Sequence, residues 1–331
     1  MLFEFDSDQQ LWQKTVREVT AKECPSTLVR TVVDNGADPA PLWKTYVGLG
    51  WTELVESEAA VELAIVLEEL GRATDPTPFL ATTTQFAPLV AGRNRPDRAA
   101  PPSTRASPPC ATRMAGCSAA PHTGARRRPR RRHRRRHRCR CVHRPGRSGV
   151  GPPYLRFRPG PAPGRHRLRR RAGRSGPGHR RRRGEGTARR LAGLAVTMVG
   201  ACRRILDLAL EHVRNRQQFG VPIGSFQAVK HRAADMHVAV ERAGALAYFA
   251  ALTIAEDDPR RRLAASMAKA AAGECQSTVF RSGLQLFGAM GFTWENDLQF
   301  ALKRARAGEH MLGSAAEHRA LIAEEYRATL V

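Results

Sequence analysis

RNRQQFGVPIGSFQAVKHRAADM, residues 214–236, is where one helical pattern stops and another starts. Upstream, Leu191, Leu194, Ala195, Met198, Cys202, Ile205, Leu206 and Ala209 recur at three-and-four spacing, which puts one apolar stripe on a helix running to about Gln218. Downstream, Phe226, Val229, Ala233, Met236, Val240 and Ala243 share one face of a second helix, with Ser225 as its expected N-cap. Gly220, Pro222 and Gly224 separate the two. Asp257-Asp258-Pro259 leads into a third long helix that ends near Gly288–Gly291, and two shorter helices follow. Long amphipathic helices joined by short breaks make a helical bundle with its own core.

Residues 1–92 read as a smaller helical domain. Ser7 with Gln10 has the spacing of a capping box, Pro41 sits near the start of PLWKTYVGL, and Val61, Leu63, Ile65, Val66 and Leu70 line a helix for which Gly71 is the expected stop. The expected fold is therefore mainly α: an N-terminal helical domain over 1–92 and a C-terminal bundle over 185–331.

Residues 93–184 are different in kind. The formal charge of the 331-residue chain is +25. All of the excess lies between Arg98 and Gly184, which hold 28 arginines and no lysine, aspartate or glutamate, so the rest is mildly acidic. Such a stretch has too few large apolar side chains to offset its ordering entropy, and disorder is expected. Ala, Gly, Pro and Arg, which dominate it, are also the residues that G and C alone can encode, the mixture a GC-rich gene yields out of frame. An arginine-rich arm for nucleic acid is the alternative, with salt-dependent and sequence-indifferent binding. Cys139 and Cys141, flanked by His133, His137 and His143, do not have a usual zinc spacing and sit among arginines that oppose a dication, so no metal is expected.

Cys24, Cys202 and Cys275 are single residues within helical patterns and read as buried thiols, not as a disulfide framework. MLFEFDSDQQ is acidic and lacks the order of a secretory signal, and no stretch approaches a membrane span; a cytoplasmic protein with no membrane partner is expected.

The 214–236 stretch resembles the acyl-CoA dehydrogenase family, in which an R-x-x-F-G-x-x-I-x-x-x-Q run joins two bundle helices. QLFGAMGFTWENDL (285–298) is similar to the family's Gly-rich segment, and DSDQQLWQKTVREV, LGW and LEELGR lie where its helical first domain has similar stretches. The resemblance covers roughly 1–92 and 185–331. It implies an FAD-dependent enzyme that dehydrogenates an acyl-CoA thioester, with the Arg-rich segment in place of a central β domain, so that the activity is impaired in this chain.

By the same resemblance Arg216, Gln217 and Gln218 face the FAD phosphates, Phe226 and Gln227 follow in the next contact, and Gln285, Gly288 and Ala289 lie where a neighbouring subunit's adenosine end is held. A guanidinium that grips a pyrophosphate and a Gly-rich break that admits backbone N–H groups suit that task. From spacing alone Arg216 would cap a helix C-terminus, and Gly288 with Gly291 would end one. The family's catalytic base is a Glu that takes the substrate's α-proton. Its two usual positions fall here on Leu312 and Arg190, neither of which accepts a proton. Glu309 is the nearest carboxylate and reads as a solvated surface residue; Glu295 reads as facing helix neighbours. The resemblance implies a homotetramer, or a heteromer in which this chain is the non-catalytic partner of a catalytic paralogue.

Overall fold

The structure, a computed structural model, describes residues 5–56, 58–86 and 177–329, with the backbone alone for 177–185 and 329. Expectations for residues 93–176, including the disordered segment and its Cys and His residues, lie outside the described residues.

The chain begins with α1 (Ser7–Glu23), α2 (Ser26–Asn35), α3 (Ala40–Gly48), α4 (Ala60–Ala73) and the short α5 (Phe79–Ala81). The cap of α1 is Asp6, not Ser7: its carboxylate accepts from the Gln9 N–H at 2.8 Å, while the Gln10 amide reaches back to the Phe5 carbonyl. An aspartate one residue earlier offers the better acceptor for a helix start. Pro41 does open α3. Around these helices Trp12, Trp43, Tyr46, Trp51 and Phe79 form an aromatic cluster, Tyr46 stacking on Trp51 at 5.1 Å between centroids.

The second run of helices is α6 (Pro177–Asn215), α7 (Gln227–Ala255), α8 (Arg261–Phe287), α9 (Leu298–His310) and α10 (Ala315–Thr329). α6 packs on α7, α8 and α9, and α8 packs on α7, α9 and α10. α6 starts at Pro177, inside the stretch assigned to the Arg-rich segment: a proline has no N–H to lose at the first helical position, and arginine propagates a helix well. It ends at Asn215 rather than Gln218, because Gln217–Gln218 (β1) pair antiparallel with Val221–Pro222 (β2). The two loop residues Phe219 and Gly220 both have positive φ, 54° and 77°, as a tight hairpin turn requires. Ser225 lies in a 3-10 turn (Ile223–Ser225), and Phe226 takes the N-cap place of α7 without a side-chain bond. Contrary to expectation, α7 is long and apolar enough by length and composition to cross a membrane. Its apolar face is core: Met236, Val240, Ala243, Ala247, Ala250 and Ile254 are buried in the bundle.

Both runs belong to one compact unit, and the joint is made where α4 crosses α6. Gly71, expected to stop α4, lies inside it; the stop is Thr74, in the left-handed region. A Cβ on Gly71 would fall on the Thr197 carbonyl of α6, and one on Gly200 would fall on the Glu68 carbonyl of α4, both within 3.0 Å. Only two bare backbones allow helices this close.

Polar groups beside the crossing are buried and paired. Glu68, 2% exposed, accepts from Arg203 Nε at 2.5 Å and from the Tyr248 hydroxyl at 2.6 Å, so α4, α6 and α7 share one carboxylate. Arg17 of α1 donates to the equally buried Glu69 at 2.7 Å. Burial pushes the Asp75 carboxyl above its usual value, opposed by the nearby Arg304 charge and by the Thr77 hydroxyl and N–H. Arg304 of α9 donates to the Asp75 carbonyl, and Arg30 of α2 bonds Asp297 at 2.6 Å. Removing the partner of a buried carboxylate such as Glu68 costs about 3–5 kcal/mol. Cys24, Cys202 and Cys275 are buried and unbridged, as expected.

A capping box does occur, at the other end of the chain. Ser314 precedes α10; its N–H and hydroxyl donate to Glu317 Oε2 at 2.8 and 3.2 Å, and the Glu317 N–H donates to the Ser314 hydroxyl at 3.3 Å.

Two outcomes are expected. Gly200→Ala pushes a methyl into the backbone of α4 and should cost at least about 1–3 kcal/mol, read as a lowered thermal midpoint; an unchanged midpoint would mean the crossing opens freely. The Ser314 N–H, and then its hydroxyl, hold the Glu317 carboxyl below its usual 4.5. A depressed acid stabilises the fold fully above its unfolded value and loses that contribution as pH falls through the folded value. Glu317→Gln should therefore flatten the acid limb of a stability–pH profile below about pH 4.5 and leave its neutral region parallel to wild type.

Candidate functional site

The sequence-derived site residues gather at two ends of the bundle. At the hairpin end, His212 of α6 stacks on Phe287 of α8, 4.3 Å between centroids and 17° between planes. This contact sets the hairpin after α6 beside the Gly288–Phe292 turn after α8. Burial, and then the charge of Arg216, hold the His212 imidazole below its usual value of 6.5.

The residues expected to meet a flavin are presented here. Arg216, Gln217, Gln218, Phe226, Gln227, Gln285, Gly288 and Ala289 are all exposed. No hydrogen bond or ion pair engages the Arg216 guanidinium among the described residues, so it does not cap α6. Gln218 turns its amide onto the Gln217 carbonyl at 2.8 Å. α7 starts without a side-chain cap, which leaves first-turn N–H groups open at Gln227. Gly288, at φ 60° and ψ −138°, ends α8 in a conformation closed to other residues and bares the backbone there. Phe219 is 93% exposed and meets Phe226 edge to face at 6.2 Å, so aromatic surface borders these donors. An arginine, open helix N–H groups and a bared glycine turn are an inventory that suits a pyrophosphate.

At the other end a cleft of about 580 Å³ lies among α6, α8, α10 and the turn between α9 and α10. Arg190 and Leu312, the two expected base positions, both line it. They are 122 positions apart in the chain, yet they stand at one cleft. Leu191, Leu263, Leu321 and Ile322 make the lining largely aliphatic, with Arg262, His318, Glu324 and Glu325 as its other ionisable groups.

Glu309 is not among the lining residues, and it is not the solvated surface carboxylate that the sequence suggested. Its side chain is 13% exposed; one oxygen accepts from the Ala315 N–H at 3.0 Å and the other lies 3.8 Å from Lys269 Nζ. Lys269, with no side-chain exposure, also donates to the Gly313 carbonyl at 2.7 Å and reaches the Glu309 carbonyl at 3.4 Å. Burial lowers its ammonium below the usual value of 10.5, opposed by the Glu309 charge. The pair is a strut under the turn that carries Leu312, itself left-handed at φ 58°. Glu295 is exposed, and its backbone carbonyl rather than its carboxylate meets Arg30 at 3.0 Å.

His318 was not foreseen. Its Nε2 lies 2.9 Å from the Leu312 carbonyl, and because a carbonyl only accepts, Nε2 carries a proton. Its Nδ1 is buried with no hydrogen-bond partner among the described residues. Ser-x-x-Glu at 314–317 was the available signal, since it fixes the start of α10 and places His318 one turn in. Lys269 was legible as the one charged residue in AASMAKAAAG.

The family description "Acyl-CoA dehydrogenase, C-terminal domain" matches residues 187–326. Acyl-CoA dehydrogenase IpdE2 of Mycobacterium tuberculosis is 40% identical over 124 residues, 38% of this chain and 37% of that protein. The short-chain specific acyl-CoA dehydrogenase of Bos taurus mitochondria is 32% identical over 131 residues, 40% of this chain and 32% of that one. The solved butyryl-CoA dehydrogenase of Megasphaera elsdenii aligns over 44% of this chain and 38% of its own, at 25% identity and a TM-score of 0.42. The chain thus spans under two fifths of the length of these relatives. Over residues 187–326 the chain is similar to the C-terminal domain of acyl-CoA dehydrogenases.

Proposed function

We propose that the chain is a subunit of a flavin-dependent acyl-CoA dehydrogenase whose own cleft lacks a positioned general base. The observation that carries this reading is that Leu312 and Arg190, the two places where the family keeps its glutamate, line a single cleft and offer no proton acceptor to it. Glu309 is committed to the α10 start and to Lys269, so it does not substitute.

FAD fits the residues present at the hairpin end. Arg216 would pair with its phosphates, with Gln217, Gln218, Phe226 and Gln227 beside them, and Gln285, Gly288 and Ala289 would receive an adenosine end. Bound flavin supplies a hydride acceptor for the β-carbon of the thioester. The chain's own contribution at the cleft is to hold the acyl group against aliphatic side chains and keep Leu312 fixed through the Lys269–Glu309 strut. The missing step is removal of the α-proton. A catalytic paralogue with its own glutamate would provide it, with this chain as the partner that completes the assembly.

Loss of a positioned base costs about 10²- to 10⁴-fold in rate. The homomer should be nearly inactive in dye-linked acyl-CoA oxidation, Leu312→Glu should regain a measurable part of that factor, and co-expression with a paralogue bearing the glutamate should restore activity with Leu312 intact. Full activity of the unsubstituted homomer would overturn the reading. Arg216→Met should weaken FAD about 10- to 100-fold, the worth of a charged hydrogen bond, in a fluorescence-quenching titration; unchanged affinity would remove Arg216 from the flavin site.

A further inference from the structure

Arg190 is more than the absence of a base. Its Nε–H donates to the Gly186 carbonyl one turn back on α6 at 2.9 Å, which orients the guanidinium plane. Its terminal nitrogens have no partner among the described residues. The residue is half-buried, and the cleft beside it is lined by Ala188, Leu191, Leu263, Leu312 and Ile322. A planar fork with two free amino groups, held at the wall of an aliphatic cleft, has the complementarity of a carboxylate carried on an apolar body. We propose that this cleft binds a carboxylate joined to an apolar chain or ring system, with Arg190 as the anchor of the anion.

The other charges facing the cleft decide the sign. Arg262 of α8 adds to the attraction, and Glu324 and Glu325 of α10 oppose it. Both glutamates are exposed, so water and salt screen them more than they screen half-buried Arg190. His318 is turned to the Leu312 carbonyl through its Nε2–H. Aliphatic lining and one oriented guanidinium therefore favour an amphipathic anion over a cation.

Two sources share this chemistry: a free acid, and the distal carboxylate of a dicarboxylic acyl thioester. The second rests on the thioester reading above; the first needs neither thioester nor flavin. Calorimetric titration of the full chain with octanoate and with 1-octanol tests the anchor. Arg190→Met should weaken octanoate about 10- to 100-fold and leave octanol unchanged, Arg190→Lys should fall between, since it keeps the charge and loses the fork, and Glu324→Gln should bind octanoate as tightly as wild type or more so. Titration with suberyl-CoA and octanoyl-CoA then assigns the source: a preference for suberyl-CoA that Arg190→Met abolishes marks the thioester, and octanoate binding with no such preference marks the free acid. The proposal falls if wild type does not bind octanoate, if Arg190→Met and Arg190→Lys leave octanoate unchanged or lower octanoate and octanol alike, or if Glu324→Gln weakens octanoate. The octanoate arm stands whether or not the chain oxidises a thioester, so the two readings fail separately.

Discussion

Both described runs of helices hang on the approach of two helix backbones where Gly71 of α4 meets Thr197 of α6 and Gly200 of α6 meets Glu68 of α4. A methyl at either glycine would separate the helices, and the polar side chains beside them would lose register. Glu68 could not then be shared by Arg203 and Tyr248. An unpaired carboxylate that is 2% exposed is among the costliest defects a core can hold. Close backbone contact thus comes first, and the buried charges are tolerable only because of it.

α6 carries that constraint to both functional ends. Its middle is locked to α4, so its first turns present Arg190 and its last turns aim the hairpin. α8 is the second reference line: it supplies Lys269 to the Leu312 turn and Phe287 to the His212 stack. The aliphatic cleft and the polar, aromatic hairpin end are therefore fixed by one scaffold, and neither depends on a surface loop alone for its position.

The sequence made the helices legible because burial of one face writes a periodic stripe: Met198, Cys202, Ile205 and Ala209 are all buried on α6, as their spacing required. It was less legible wherever the outcome depended on a partner far along the chain. Gly71 looked like a stop because nothing local says that Thr197 lies against it. Ser7 and Ser225 have cap-forming side chains, but Asp6 won at the first site and a 3-10 turn took up the second. Glu309 looked solvated because its partner Lys269 is 40 positions away on another helix. The hairpin residues were found from a motif and proved to be exposed, whereas the meeting of Arg190 and Leu312 at one cleft is a property of packing that no linear pattern contains.

The unbroken course of α6 also works as a ruler. Arg190 and Arg216 are separated by 26 residues, nearly all of them helix, about 39 Å at 1.5 Å per residue. No single dinucleotide stretches that far along one bundle. On the flavin reading, a cofactor gripped at this chain's hairpin serves a cleft on another chain, and this chain's cleft is served from elsewhere. On that same reading alone, the length of one helix would turn a binding motif into a demand for a second chain.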